Sequence, residues 1–131
     1  MNIESHKRAI RESLEIIEES IRKGVSERQR TIGFHCSVAA ADILELFLHS
    51  RGLISPGKTI KHDFFASKRK LKERLPEFEH RERAIELLTE LESKRSLLCY
   101  GKPQTEGLIE EYLSTFNKIR KLFDGLGADY E

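Results

Sequence analysis

The sequence predicts an all-α protein, an antiparallel up-and-down bundle of four main helices and one shorter helix. Apolar residues recur every three or four positions along most of the chain, and no segment alternates apolar and polar residues as a strand would. Only 3 Pro and 8 Gly interrupt the 131 residues. A chain of this size is expected to form one domain with one core. We expect that domain to span residues 1–123 and residues 124–131 to fray.

The first two helices are expected to meet at Gly24, which would end the first helix as a C-cap. Ser26 and Gln29 have the spacing of a capping box, so the second helix is expected to begin there and to continue to about His49. The predicted apolar stripes are Ile10, Leu14, Ile17 and Ile21 in the first helix, and Ile32, Cys36, Ala39, Ala40, Ile43, Leu44 and Phe47 in the second.

Three further helices are predicted in the second half of the chain. The third covers about residues 59–74 and ends before Pro76, and the fourth covers about residues 78–98. Gly101 and Pro103 separate it from a fifth helix that Thr105 would cap. The residues predicted to face the core are Ile60, Phe64, Leu71 and Leu75 in the third helix, Ala84, Leu88, Leu91 and Leu98 in the fourth, and Ile109, Tyr112, Phe116, Ile119 and Phe123 in the fifth.

The charges are balanced over the whole chain but not locally. With 23 Lys and Arg against 22 Asp and Glu, the net charge of +1 excludes a generally basic nucleic-acid coat. Residues 68–74 nevertheless hold five cations and one acid, and Lys58 and Lys61 precede them. This concentration predicts a basic surface that contacts phosphates, with Lys68, Arg69 and Lys72 as candidate binding residues, or else a merely solubilising face.

Arg95 breaks the apolar pattern of the fourth helix. Positions 84, 88, 91, 95 and 98 read Ala, Leu, Leu, Arg and Leu, so the stripe carries this arginine toward the core. A charge there must reach solvent, find a partner or line a polar cleft. Either its guanidinium extends to the surface and pairs with Glu92, or it serves a site in which Tyr100, five residues on, takes part.

Two carboxylate–histidine pairs have spacings that metal sites use. Glu45 and His49 lie four residues apart, and Glu77 and His80 have the Glu-x-x-His spacing of carboxylate di-iron bundles. A di-iron centre needs two such motifs and two further glutamates, and this chain supplies one. We therefore predict solvated helix faces, no metal and no cofactor.

The remaining features favour a cytoplasmic protein that does not enter a membrane. The N-terminus leads into glutamates rather than an apolar signal region, and fully apolar runs are only a few residues long. Cys36 and Cys99 are then expected to be buried, reduced thiols, with a disulfide as the less favoured alternative. No glycine-rich phosphate loop, nucleophile elbow or His-Glu-x-x-His motif is present.

The stretch from Leu88 to Gly101 resembles the fourth helix of HEPN domains, small helical bundles common in bacteria and archaea. In one branch of that family this helix ends in arginine, four residues, tyrosine and glycine, as Arg95, Tyr100 and Gly101 do here. Residues 34–54 are similar to the Ala-rich second helix and its turn, and Lys61-His62 falls where that branch has a Thr-His or Lys-His pair. The resemblance covers about residues 5–123.

The resemblance implies a five-helix bundle that forms a homodimer across a polar cleft. Many HEPN members are metal-independent ribonucleases, and as toxins they pair with a nucleotidyltransferase-fold antitoxin. Their site is an arginine followed, four to six residues on, by a histidine. Arg95 matches that arginine, but no residue from 96 to 103 is histidine and Tyr100 stands in its place. Tyrosines ordinarily titrate near pH 10, too high for general acid–base work at neutral pH.

The leading prediction is therefore a non-catalytic HEPN-type binding or accessory module. It would act with a nucleotidyltransferase-fold partner or bind a nucleotide or RNA through Arg95 and Tyr100, with His62 approaching from the third helix. The first alternative is a ribonuclease in which Arg95 stabilises the phosphorane and His62 or Tyr100 moves protons. The second alternative is a structural bundle without a ligand.

Overall fold

The computed structural model describes residues 2–131, which form a bundle of α-helices without a β-strand. Five α-helices are joined by short turns, except for a longer connection between the second and the third that contains a single 3-10 turn at His62–Phe65. The predicted all-α class is confirmed. The helices are α1 Ile3–Lys23, α2 Gln29–Ser50, α3 Lys68–Arg74, α4 Arg81–Tyr100 and α5 Glu106–Gly125.

Helix α2 is the centre of the bundle, and α1, α4 and α5 all pack against it. Gly33 of α2 meets Leu98 and Cys99 of α4, while Phe47 at the other end packs against Phe78, so α2 and α4 run antiparallel. Ala39, Ala40 and their neighbours are buried because three helices surround them.

The central position of α2 also explains its composition. By length and mean hydropathy it is the one helix among the described residues that would suffice to cross a membrane. In the structure 72% of that apolar window is buried inside the bundle. A core helix surrounded by other helices has this same character, so its hydropathy is weak support for a membrane segment.

The helix ends agree with the sequence in two places and differ in a third. Gly24 follows α1 with a positive φ of 123°, and the Thr105 side chain caps α5 by accepting a hydrogen bond from the Leu108 amide. The predicted capping box is wrong, because α2 begins at Gln29 itself and no side chain caps it. The Gln29 side chain is drawn away by hydrogen bonds to the α4–α5 turn.

The single third helix predicted over residues 59–74 is also wrong. The segment divides into the 3-10 turn and the seven-residue α3, with Ser67 capping α3 between them. Side chains of other elements hold the intervening backbone: Glu45 accepts from the Ile60 amide and His49 donates to the Lys58 carbonyl. These bonds replace helical ones, which is why the helix does not form.

Two smaller differences concern α4 and the C-terminal tail. Helix α4 begins at Arg81 rather than near residue 78, because His80 takes a left-handed conformation with φ 64°. The segment predicted to fray instead packs on the bundle, where Tyr130 is 3% exposed and its hydroxyl donates to Asp124. Arg11 of α1 holds the Tyr130 carbonyl as well.

Candidate functional site

The Arg95 side chain lies within the bundle, at the packed face of α4. The residue is 8% exposed, and its Nε has no hydrogen-bond partner in the described part of the chain. Arg95 therefore faces inward, as the three- and four-residue spacing of the apolar positions in residues 84–98 predicts. A buried guanidinium nitrogen without a partner costs the protein stability.

Glu92, the pairing partner that the sequence offers for Arg95, is committed elsewhere. Its Oε1 accepts a hydrogen bond of 2.9 Å from His62 Nδ1, and its Oε2 is buried with no partner among the described residues. Glu92 precedes Arg95 by three positions on one helix face, so the His62–Glu92 pair lies one turn from the arginine. The structure thus brings His62 to the edge of the Arg95 site through Glu92.

Ser37 of α2 is a third polar group, besides Glu92 and Arg95, at the contact between α2 and α4. Its hydroxyl is buried and has no hydrogen-bond partner in the part of the chain that the structure describes. Gly33 packs against Cys99, and the two helices are antiparallel, so one turn along α2 leads to Ser37 and one turn back along α4 leads to Arg95. We call Ser37, Glu92 and Arg95 the polar seam. The sequence did not predict that these three residues lie together.

Tyr100 lies at the outer end of the polar seam. It is 72% exposed, and its ring centroid is 5.9 Å from the Arg95 guanidinium carbon, which is a cation–π arrangement. The structure therefore brings Arg95 and Tyr100 together, as expected from their spacing. An exposed aromatic ring beside a guanidinium offers a stacking surface next to a phosphate-binding group.

A cleft of about 400 Å³ opens beside Tyr100, between the start of α2 and the α4–α5 turn. Arg30 and Cys99 line it, and Gln29 forms part of its wall. The Gln29 amide donates to the carbonyls of Leu98 and Lys102, at 3.3 and 3.2 Å, and its oxygen accepts from the Gln104 amide at 2.7 Å. These three bonds hold the wall of the cleft in place.

The pKa of the Cys99 thiol depends on its burial and on the charges around the cleft. Burial raises the pKa of this thiol above its ordinary value, while the positive charges of Arg95 and Arg30 oppose that rise. Both arginines are thus close enough to act on one buried atom. A thiol with a raised pKa stays protonated at neutral pH, so Cys99 is a packing residue and not a nucleophile. Cys36 and Cys99 are both buried and free, as the sequence predicts.

The predicted basic residues of α3 do not join this site. Lys68, Arg69 and Lys72 are exposed on the short helix. Arg69 pairs with Glu73 at 3.5 Å and Lys72 with Glu82 at 3.9 Å, which offsets part of their charge. They form a basic surface on α3, and none of them lines the cleft beside Tyr100.

The carboxylate–histidine pairs serve structural contacts. Glu45 and His49 hold the backbone of the α2–α3 connection, as described above. Glu77 is 90% exposed, and His80 lies 3.5 Å from Glu79. Within residues 2–131 no group of three or more His, Cys, Asp or Glu side chains is placed to hold a metal ion.

Comparisons of the chain with protein-family models, with curated proteins and with solved structures found no match. The functional assignment therefore depends on the chemistry of the polar seam and its cleft.

Proposed function

We propose that the protein is a non-catalytic binding module of the HEPN type, which recognises phosphate groups of a nucleotide or RNA through Arg95. The observation that carries this proposal is the guanidinium of Arg95, which lies 5.9 Å from the exposed Tyr100 ring and forms no ion pair with an acidic side chain in the described chain. Guanidinium groups bind phosphate oxygens through parallel N–H donors in a fixed fork. A phosphate that approaches from the Tyr100 side would supply the negative charge that the described chain does not pair with Arg95.

The surroundings of Arg95 suit a nucleotide better than a bare anion. Arg30 lines the adjoining cleft together with one acid, Glu27, and the exposed Tyr100 ring offers a stacking surface for a base. Both groups lie within the same end of the bundle as the polar seam. A phosphate on Arg95 and a base on Tyr100 would use the two together.

The second candidate function is a metal-independent ribonuclease, and one specific contact favours it. His62 is half-exposed and hydrogen-bonded to Glu92, so a carboxylate orients an imidazole one turn from the arginine. Such an imidazole can act as a general base on the 2′-hydroxyl of RNA while Arg95 stabilises the charge on the phosphorane. The histidine that ribonucleases of the HEPN family carry after the arginine is replaced here by Tyr100.

The resemblance also leads us to propose a homodimer and a nucleotidyltransferase-fold partner protein. Phe34 of α2 and Leu97 of α4 are 47% and 44% exposed, and with Tyr100 they present apolar surface at the end of the bundle that holds the cleft. Apolar side chains exposed together are typical of protein contact surfaces. Light scattering of the wild type and of Leu97→Glu tests the dimer, which the variant is expected to dissociate.

The proposed function is tested by mixing the purified protein with RNA and following binding and cleavage together. Binding without cleavage, lost in Arg95→Ala, is the result expected. Cleavage that is lost in both Arg95→Ala and His62→Ala would establish the ribonuclease instead. Neither binding nor cleavage of RNA or nucleotides would leave the structural bundle as the remaining function.

A further inference from the structure

A second cleft lies among the basic residues of the α2–α3 connection. It has a volume of about 270 Å³ and lies between the α2–α3 connection and the end of α3. No residue lines both this cleft and the one beside Tyr100. The residues that line it are Lys58, Thr59, Lys61, Asp63, Phe64 and Arg74; we call it the lysine cleft.

The three cations of the lysine cleft form no ion pair with an acidic side chain among the described residues. The neighbouring cations Arg69 and Lys72 pair with Glu73 and Glu82, whereas Lys58, Lys61 and Arg74 have no such pair among the described residues. Asp63 is the one acid in the lining. The cleft therefore carries an excess of positive charge that the chain does not neutralise, although the chain as a whole has a net charge of only +1.

The backbone that carries the two lysines is held from three sides. The Ile60 amide donates to Glu45 Oε1 at 2.5 Å, and the Lys58 carbonyl accepts from His49 Nε2 at 2.8 Å. On the other side, His62 is fixed to Glu92. A loop backbone fixed in this way loses little conformational entropy when a ligand binds.

Phe64 and Arg74 give the lysine cleft its shape and its specificity. The Lys58 ammonium lies 5.8 Å from the centroid of the Phe64 ring, so the ring forms an apolar wall beside the charges. Arg74 ends α3 and presents a planar fork of donors, whereas each lysine acts as a point charge. The planar guanidinium of Arg74 and the two lysine ammonium groups surround one small cleft. This arrangement fits an anion with more than one tetrahedral group.

We propose that the lysine cleft binds a phosphoanhydride, that is, two linked phosphates as in inorganic pyrophosphate or a nucleoside diphosphate. Two linked phosphates carry more negative charge than one phosphate and offer oxygen atoms to each of the three cations. The Phe64 wall provides a contact for the nucleoside of a diphosphate. This site does not depend on Arg95, and it holds whether or not the proposed function is correct.

The test is titration calorimetry of the purified protein with inorganic pyrophosphate, orthophosphate, sulfate and ADP at equal ionic strength. We expect pyrophosphate to bind one site per chain, about ten times or more as tightly as orthophosphate, since it adds charge-assisted bonds to the cations. Tighter binding of ADP than of pyrophosphate would identify a nucleoside diphosphate as the ligand. Equal affinities for ADP and pyrophosphate would show that the site recognises the two linked phosphates and not the nucleoside.

Variants separate the site from general charge. Lys58→Gln/Lys61→Gln and Arg74→Gln are each expected to weaken pyrophosphate binding about tenfold or more. The matched control Lys118→Gln/Lys121→Gln removes two exposed lysines of α5 and is expected to leave the affinity within about twofold. No binding at millimolar pyrophosphate would overturn the proposal, and so would an equal loss in the control. Loss of binding in Arg95→Ala would also overturn it, because it would place the ligand in the other cleft.

Discussion

The Nδ1 atom of His62 lies 2.9 Å from the Oε1 atom of Glu92 and joins the 3-10 turn to the middle of α4. This contact has a consequence for Arg95, one turn further along the same helix. Glu92 is the acidic residue closest to Arg95 in sequence. Because Glu92 is directed toward His62, it does not pair with Arg95. The chain thus buries a guanidinium whose Nε is unsatisfied, an arrangement that costs stability.

The first prediction concerns the stability of Arg95→Met. A methionine keeps the length and the packing of the arginine stem but removes the unsatisfied donor. We expect the variant to unfold at the same denaturant concentration as the wild type or higher, with a gain on the order of 1 kcal/mol in the free energy of unfolding. Leu91→Ala, one turn away, serves as control and is expected to lose about 2–5 kcal/mol. A comparable loss in Arg95→Met would show that the arginine is a structural residue.

The second prediction concerns Gly33, where α2 and α4 approach most closely. A Cβ atom at this position would lie 2.7 Å from Leu98 Cβ and 3.1 Å from Cys99 Sγ. Gly33→Ala should therefore force the helices apart and cost about 1–3 kcal/mol, despite the better helix propensity of alanine. Gly107→Ala in the first turn of α5 meets open space and should be neutral or stabilising. Thermal unfolding of both variants gives the comparison, and equal melting temperatures would contradict the close approach.

The third prediction concerns Asp42, which lies with His6 and Glu45 between α1 and α2. Burial raises the pKa of Asp42 from 3.8 to about 6; the charge of His6 lowers it and that of Glu45 raises it. A raised carboxyl pKa favours folding fully below about pH 4, and this contribution is lost as the pH rises through 6. Asp42→Asn should thus be more stable than the wild type at pH 7, by on the order of 2 kcal/mol.

Denaturant unfolding of both proteins at several pH values checks the Asp42 prediction. The quantity to compare is the difference in unfolding free energy between Asp42→Asn and the wild type, because other titrations cancel in that difference. It should grow between pH 4 and pH 6 and then stay level. A difference that is the same at pH 4 and pH 7 would show that Asp42 titrates normally.

The fourth prediction concerns Gln29 and the wall of the cleft. Gln29→Leu keeps the volume of the side chain but removes all three hydrogen bonds to the α4–α5 turn. We expect a loss of about 2 kcal/mol in stability, since the Leu98 carbonyl and the Gln104 amide N–H would lose their partner. Hydrogen exchange at residues 101–104 should become faster in this variant, while exchange in the middle of α2 should not change. Unchanged exchange in the turn would mean that Gln29 does not hold it.

Local patterns in the sequence were sufficient to predict most of the fold. Helical periodicity placed the buried faces of α2, α4 and α5, including the inward position of Arg95, because burial follows the same 3.6-residue repeat as the helix itself. Thr105 was predictable as a cap because its partner, the Leu108 amide, is three residues away. Ile21, which the periodicity places in the stripe of α1, is 46% exposed and lines an open groove beside Leu113 of α5.

The remaining features depend on residues that are distant in sequence. The α2–α3 connection takes its shape from Glu45, His49 and Glu92, up to 30 positions away from the atoms they hold. Tyr130 is buried because its carbonyl meets Arg11, 119 positions earlier. Ser37 belongs to the polar seam only through the register between α2 and α4, which no local pattern shows.

The measurement that tests the central claim most directly is the affinity of the protein for a fluorescently labelled single-stranded RNA, wild type against Arg95→Ala. Arg83→Ala is the matched control, since Arg83 lies on the same helix but half-exposed and paired with Glu86. We predict that Arg95→Ala binds about 10–100 times more weakly, as the loss of charge-assisted bonds to a phosphate would cause, and that Arg83→Ala binds nearly as the wild type does. Equal affinities for Arg95→Ala and Arg83→Ala would contradict the account.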